Sequence, residues 1–230
     1  MSEVVPINTT HRNSRYIRVL GALAAPDAST RLRAALAAGT HPAPELVDAL
    51  VQRCATEPDF FVRDMLTWAL TRLPAQITLP KLRAELTSDC AQARSQALHT
   101  LSKIGDRAVW PALTRSLLRD PDDEVARSAW RAAVVLAPEE EKDALAGELA
   151  TQLGRGDREV QLSLSRAFVA LGEPAEPVLD AAAVARDPAV RAHANATRRL
   201  LRDPDAGFDL AVDAARRVVA LGPDGEEAAC

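Results

Sequence analysis

Aromatic side chains make up only 3% of the 230 residues, and cysteine occurs three times. An interior short of Phe, Tyr and Trp must be filled by Ala, Leu and Val, which suits helices that approach one another closely. Cys54, Cys90 and Cys230 are scattered, odd in number and without CxxC spacing, so neither a disulfide framework nor a cysteine zinc site is indicated. No apolar run approaches the roughly 18 residues of a membrane span. Met1–Asn13 lacks the apolar core of a signal peptide, and a cytoplasmic protein is expected. A Gly-rich phosphate loop, HExxH and GxSxG are all missing, and no Cys or His is arranged as an activated nucleophile requires. These absences lead to the expectation that the chain is not an enzyme and holds no cofactor or metal.

Apolar residues are plentiful, at 47% of the chain, and they recur. Five segments share an Asp-rich turn followed by apolar residues at offsets 0, 4, 7 to 8 and 11, beginning at Val62, Ala93, Val125, Val160 and Val190. Their starts lie 31, 32, 35 and 30 residues apart, a period that marks stacked helical repeats. A first helix precedes each of these second helices, over Pro44–Ala55, Ile77–Leu86, Ala108–Leu118, Glu139–Leu153 and Ala175–Ala185. The fold class expected is all-α, an α-solenoid of helical hairpins. Asp59, Asp122, Asp157 and Asp187 stand three residues before the repeat Val, where a carboxylate accepts free backbone N–H groups and favours the helix dipole. Cys90 fills that column in the second of these repeats, so its cap is expected to shift to Asp89. Pro74, Pro138, Pro174, Gly105 and Gly172 close the second helices. Arg15–Ala25 with Thr30–Ala38, and Gly207–Leu221, read as terminal capping helices. The domain expected is a single repeat domain over 15–222, between disordered tails at 1–14 and 223–230.

The runs Asp59-Phe60-Phe61-Val62-Arg63, Asp122-Asp123-Glu124-Val125 and Asp187-Pro188-Ala189-Val190-Arg191 resemble HEAT repeats of the bacterial PBS-lyase-like kind. The likeness covers roughly residues 43–202, and the chain also resembles HEAT-repeat regions of actinobacterial proteins. It implies a right-handed superhelix whose second helices line a concave side, and partners that are usually proteins and sometimes nucleic acids.

On a helical wheel, offsets 2, 6 and 9 lie opposite the apolar stripe. Offset 6 holds Trp68, His99, Arg131, Arg166 and Ala196, offset 2 includes Arg127, and Arg72, Lys103 and Arg199 flank them. The five second helices carry twelve Lys or Arg against three Asp or Glu, an excess of nine positive charges in a chain whose net charge is −4. Such a field suits an anionic partner. The competing explanation is structural: Arg63, Arg94 and Arg191, at offset 1, are expected to pair with turn carboxylates of a neighbouring repeat. Trp68 reads equally as an anchor or as packing, Trp110 and Trp130 read as packing, and His99 and His193 are solitary. The function expected is an adaptor that binds a protein or peptide with acidic or phosphorylated elements on its concave face. The binding residues are Trp68, Arg72, His99, Lys103, Arg127, Arg131, Arg166 and Arg199. The alternative is nucleic-acid binding, because the Asp59–Leu70 segment is similar to one in HEAT-like alkylpurine DNA glycosylases. Those enzymes carry Trp with a catalytic Asp four residues later, whereas Trp68, Trp110 and Trp130 are followed there by Arg72, Thr114 and Val134.

Overall fold

A computed structural model describes residues 16–203. The described residues form helices α1 (16–23), α2 (Ala28–Thr40), α3 (Val47–Thr56), α4 (Phe60–Thr71), α5 (Ala75–Glu85), α6 (Ala91–Ile104), α7 (Arg115–Leu118), α8 (Asp123–Leu136), α9 (Lys142–Ala150), α10 (Arg158–Leu171), α11 (Glu176–Ala182) and α12 (Pro188–Arg202). Among the described residues the fold is all-α, built of helical hairpins. The chain divides after Ala112 into two compact units. In the first, α3/α4 and α5/α6 are hairpins, α2 packs on α4, and α4 packs on α6. In the second, α7/α8, α9/α10 and α11/α12 are hairpins, with α8 on α10 and α10 on α12. The expected tails, Arg15 and the Gly207–Leu221 helix lie outside the described residues.

The apolar stripe forms the interior. Offset 4 contributes Leu66, Ala97, Ala129, Leu164 and Ala194, and offset 0 contributes Val62, Ala93, Val125 and Val160, all buried. Each buried Leu or Val is worth about 1.5–3 kcal/mol over its exposed state, and the alanines let neighbouring second helices approach. Two columns expected to face water do not do so throughout, because Ser95, Ala192 and Ala196 are buried.

The helix boundaries follow local chemistry. Asp59 accepts Val62 N–H, Asp122 accepts Glu124 and Val125 N–H, Asp157 accepts Glu159 and Val160 N–H, and Asp187 accepts Ala189 N–H. The expected shift of the α6 cap to Asp89 is corrected: Cys90 is the N-cap residue and no side chain caps the helix, while Ser88 Oγ accepts Cys90 N–H instead. Gly105 ends α6 in the left-handed conformation at φ 72°, which glycine adopts without steric cost. The continuous helix expected over Ala108–Leu118 is broken into a 3-10 segment, Arg107–Ala112, and the single turn α7. Pro111 lies inside that segment, and a proline lacks the N–H and disfavours α geometry in the residue before it.

Candidate binding surface

The arginines of offset 1 are structural, but not in the expected way. Arg63 Nη1 donates to the carbonyls of Glu57 and Pro58, Arg94 Nη1 to those of Ser88 and Asp89, and Arg191 Nη1 to those of Ala185 and Arg186. For Arg63 and Arg191 the acceptors are backbone carbonyls of the turn in the same hairpin rather than carboxylates of a neighbour, and Arg94 makes the same pair of carbonyl contacts. Carbonyls left over at the end of a first helix need donors, and one planar guanidinium serves two of them.

The eight candidate residues divide between the units. In the first, the Trp68 ring lies over Gly39 of α2: a Cβ added at Gly39 would stand 2.2 Å from Trp68 Cζ3. Trp68 is thus a packing residue whose ring stays half-buried. His99 on α6 is also half-buried, whereas Arg72 at the C-cap of α4 and Lys103 near the end of α6 are exposed. In the second unit, Arg131 and Arg166 are exposed and Arg127 and Arg199 half-buried. Arg127, Arg131 and Arg166 come together across the packed helices α8 and α10. Partial burial, then the positive charge of Arg127, with Arg166 adding to it, lowers the Arg131 pKa from its ordinary value, and Glu124 opposes this. Trp130 is packing, as expected: it is fully buried and Nε1 donates to the Leu118 carbonyl at 2.8 Å.

Charge on the second helices of this unit is ordered along their length. Asp123, Glu124 and Glu159 lie in first turns, where the dipole favours carboxylates. Beyond the first turn, every charged residue of α8, α10 and α12 is arginine: Arg127, Arg131, Arg166, Arg191, Arg198, Arg199 and Arg202. Arg191 is occupied by its turn, and Arg198 pairs with Asp180 at 2.8 Å.

Two buried polar networks have no counterpart in the reading of the sequence. In the first unit, Glu57 is wholly buried between Arg31 and Arg53. Arg31 Nε and Nη2 donate to its two oxygens at 2.7 and 2.8 Å, and Asp59 N–H donates at 2.9 Å. Burial opposes ionisation, but the Arg31 bonds, the Asp59 N–H and Arg53 prevail and hold the Glu57 pKa down at about 2. In the second unit, Gly154 N–H donates to His193 Nδ1 at 3.0 Å, which leaves the ring proton on Nε2, 3.0 Å from both Ser165 Oγ and the Gln161 carbonyl. Desolvation lowers the His193 pKa to about 4. Ser165 and His193 are both buried, so this serine–imidazole contact is a packing feature rather than a nucleophile.

A hydroxyl pair in the first unit shares a spacing with the Ser165 contact of the second. Thr67 meets Thr100 at 3.3 Å, and Ser165 meets Thr197 at 2.8 Å. Each pairs offset 5 of one repeat with offset 7 of the next. Thr100 and Thr197 donate to their own helices, to the Gln96 and His193 carbonyls, so Thr67 and Ser165 supply the proton across the seam.

No family model and no curated protein matches the chain. Among solved structures it matches the complex of CpcE and CpcF of phycocyanin lyase from Nostoc sp. PCC7120, at 18% identity and a TM-score of 0.47, over 99% of this chain and 96% of that chain. A likeness at that level assigns no activity or partner to this chain. It does correct one expectation: a lyase stands among the structures it matches, so an all-helical chain without a familiar catalytic motif is not thereby a non-enzyme, and that reading is withdrawn. No helix among the described residues is long and apolar enough to cross a membrane.

Proposed function

We propose that this is a cytoplasmic HEAT-like repeat protein of the PBS-lyase-like kind, related to those of actinobacterial proteins. It binds a protein or peptide partner with acidic elements on the exposed side of its second helices. One observation carries this reading: past their first turns, α8, α10 and α12 hold arginine and no other charged residue. Arginine offers a planar fork of donors suited to carboxylates. Arg131 and Arg166 form the centre of the surface, Arg127 and Arg199 its margins. In the first unit, taken by itself, the candidate contacts are Arg72, Lys103, His99 and the part of the Trp68 ring that its packing on Gly39 leaves open. The test is the double variant R131E/R166E. Partner capture is expected to be lost while the circular dichroism stays helical; capture at the wild-type level overturns the surface.

A second reading, nucleic-acid binding, draws on the same arginines. It requires affinity that falls steeply with salt in proportion to the phosphates contacted. A duplex and a single strand that fail to bind at low salt remove it.

A further inference from the structure

The proposed partner surface has a centre with its own chemistry. Arg127 and Arg131 stand one turn apart on α8, and Arg166 occupies on α10 the offset that Arg131 occupies on α8; the two helices pack side by side. Arg166 is exposed and has no ion pair among the described residues. Arg127 Nη1 donates to Glu124 Oε1 at 2.7 Å, while its Nε is buried without a hydrogen-bond partner. The Glu124 side chain is 71% exposed. Arg131 feels the charges of Arg127, Arg166 and Glu124, and these four residues carry a formal charge of +2 between them. Like charges that act on one another in this way repel, and an anion shared among them relieves the repulsion.

Resting on the reading above, we infer that Arg127, Arg131 and Arg166 form a receptor for a phosphate monoester, carried as phosphoserine or phosphothreonine on a peptide segment of the partner. A monoester has close to two negative charges and three strong acceptor oxygens, which match the local charge and the number of guanidiniums; a carboxylate brings one charge and two oxygens. A polynucleotide fits less well, because its backbone is a continuous track of singly charged diesters. Asp123, Glu124 and Glu159 interrupt any such track at the starts of these same helices. Glu124 is the internal stand-in, occupying Arg127 until the phosphate displaces it.

The experiment titrates the full chain with three short peptides that differ at one position, phosphoserine, glutamate or serine, at constant ionic strength, and follows the arginine Nε–H resonances. The phosphoserine peptide is expected to bind about tenfold tighter than the glutamate peptide, as charge-assisted bonds to a dianion imply. That preference disappears in R131Q/R166Q, and E124Q raises the affinity by removing the competitor. Equal binding of the phosphoserine and glutamate peptides overturns the phosphate receptor and leaves the acidic-partner reading standing. Binding of neither overturns both. A preference that survives R131Q/R166Q, or a duplex oligonucleotide that outcompetes the phosphopeptide, also overturns the receptor.

Discussion

The first unit ties its hairpins with a buried ion pair, and the second ties its own with a buried neutral imidazole. Glu57 is ionised between Arg31 and Arg53, whereas His193 accepts a backbone N–H and reaches two oxygens without charge. Both arrangements satisfy every polar group that they take out of water. They differ in how they fail, since a charge that loses its partner inside the fold costs more than a dipole that loses one.

That contrast breaks most sharply at Glu57. The variant E57A leaves Arg31, 5% exposed, without its counter-charge and is expected to cost about 3–5 kcal/mol by chemical denaturation. An effect within experimental error would mean that the pair is dispensable. Next comes pH. A His193 pKa of about 4 in the fold, against about 6.5 unfolded, means that the unfolded chain binds more protons between those values. This stabilisation is complete above about pH 6.5 and is lost as pH falls toward 4, a total of about 3 kcal/mol. The Glu57 contribution, with a folded pKa of about 2 against an unfolded value of about 4.3, persists through that window and is lost below it. Denaturation midpoints measured from pH 7 to 4 are therefore expected to fall in the wild type and to fall less in H193N. Equal slopes in the two proteins would rule out the imidazole as the acid-sensitive group.

Smaller effects sharpen the comparison. G39A places a methyl against the Trp68 ring and is expected to cost about 1–3 kcal/mol as overpacking, with a change in Trp fluorescence. D122A removes the cap of α8 at about 1 kcal/mol, while D89A, beside an uncapped helix start, is expected to leave the thermal midpoint unmoved. Last, F60S/F61S alters two rings that are 64% and 70% exposed. It is expected to change stability by less than about 0.5 kcal/mol.

The repeat period, the apolar columns, the aspartate caps and the packing role of Trp130 were all legible, because each depends on residues within one helix or the turn before it. What escaped reading joins residues in different hairpins. His193 is solitary in the sequence only because its partners, Gly154 and Ser165, are 39 and 28 residues back. Glu57 reads as an ordinary turn acid until Arg31 is brought across 26 residues. Aligning the repeats at offsets 5 and 7 would have found the Thr67–Thr100 and Ser165–Thr197 pairs, since a hydroxyl among apolar residues invites a search for its mate one repeat away. Of the candidate site, the juxtaposition of Arg131 with Arg166 was legible from their shared offset. The seating of Trp68 was not, because nothing in the spacing marks Gly39 as the floor beneath an indole.

The guanidinium clamp of Arg63, Arg94 and Arg191 reaches back only five and six residues. A hairpin closed by so near a neighbour carries the instructions for its own bend. Folding can then start at several places along the chain, with little loop entropy to overcome before the first contacts form. A gene could likewise lengthen or shorten by whole hairpins without rewriting the corners of those that remain.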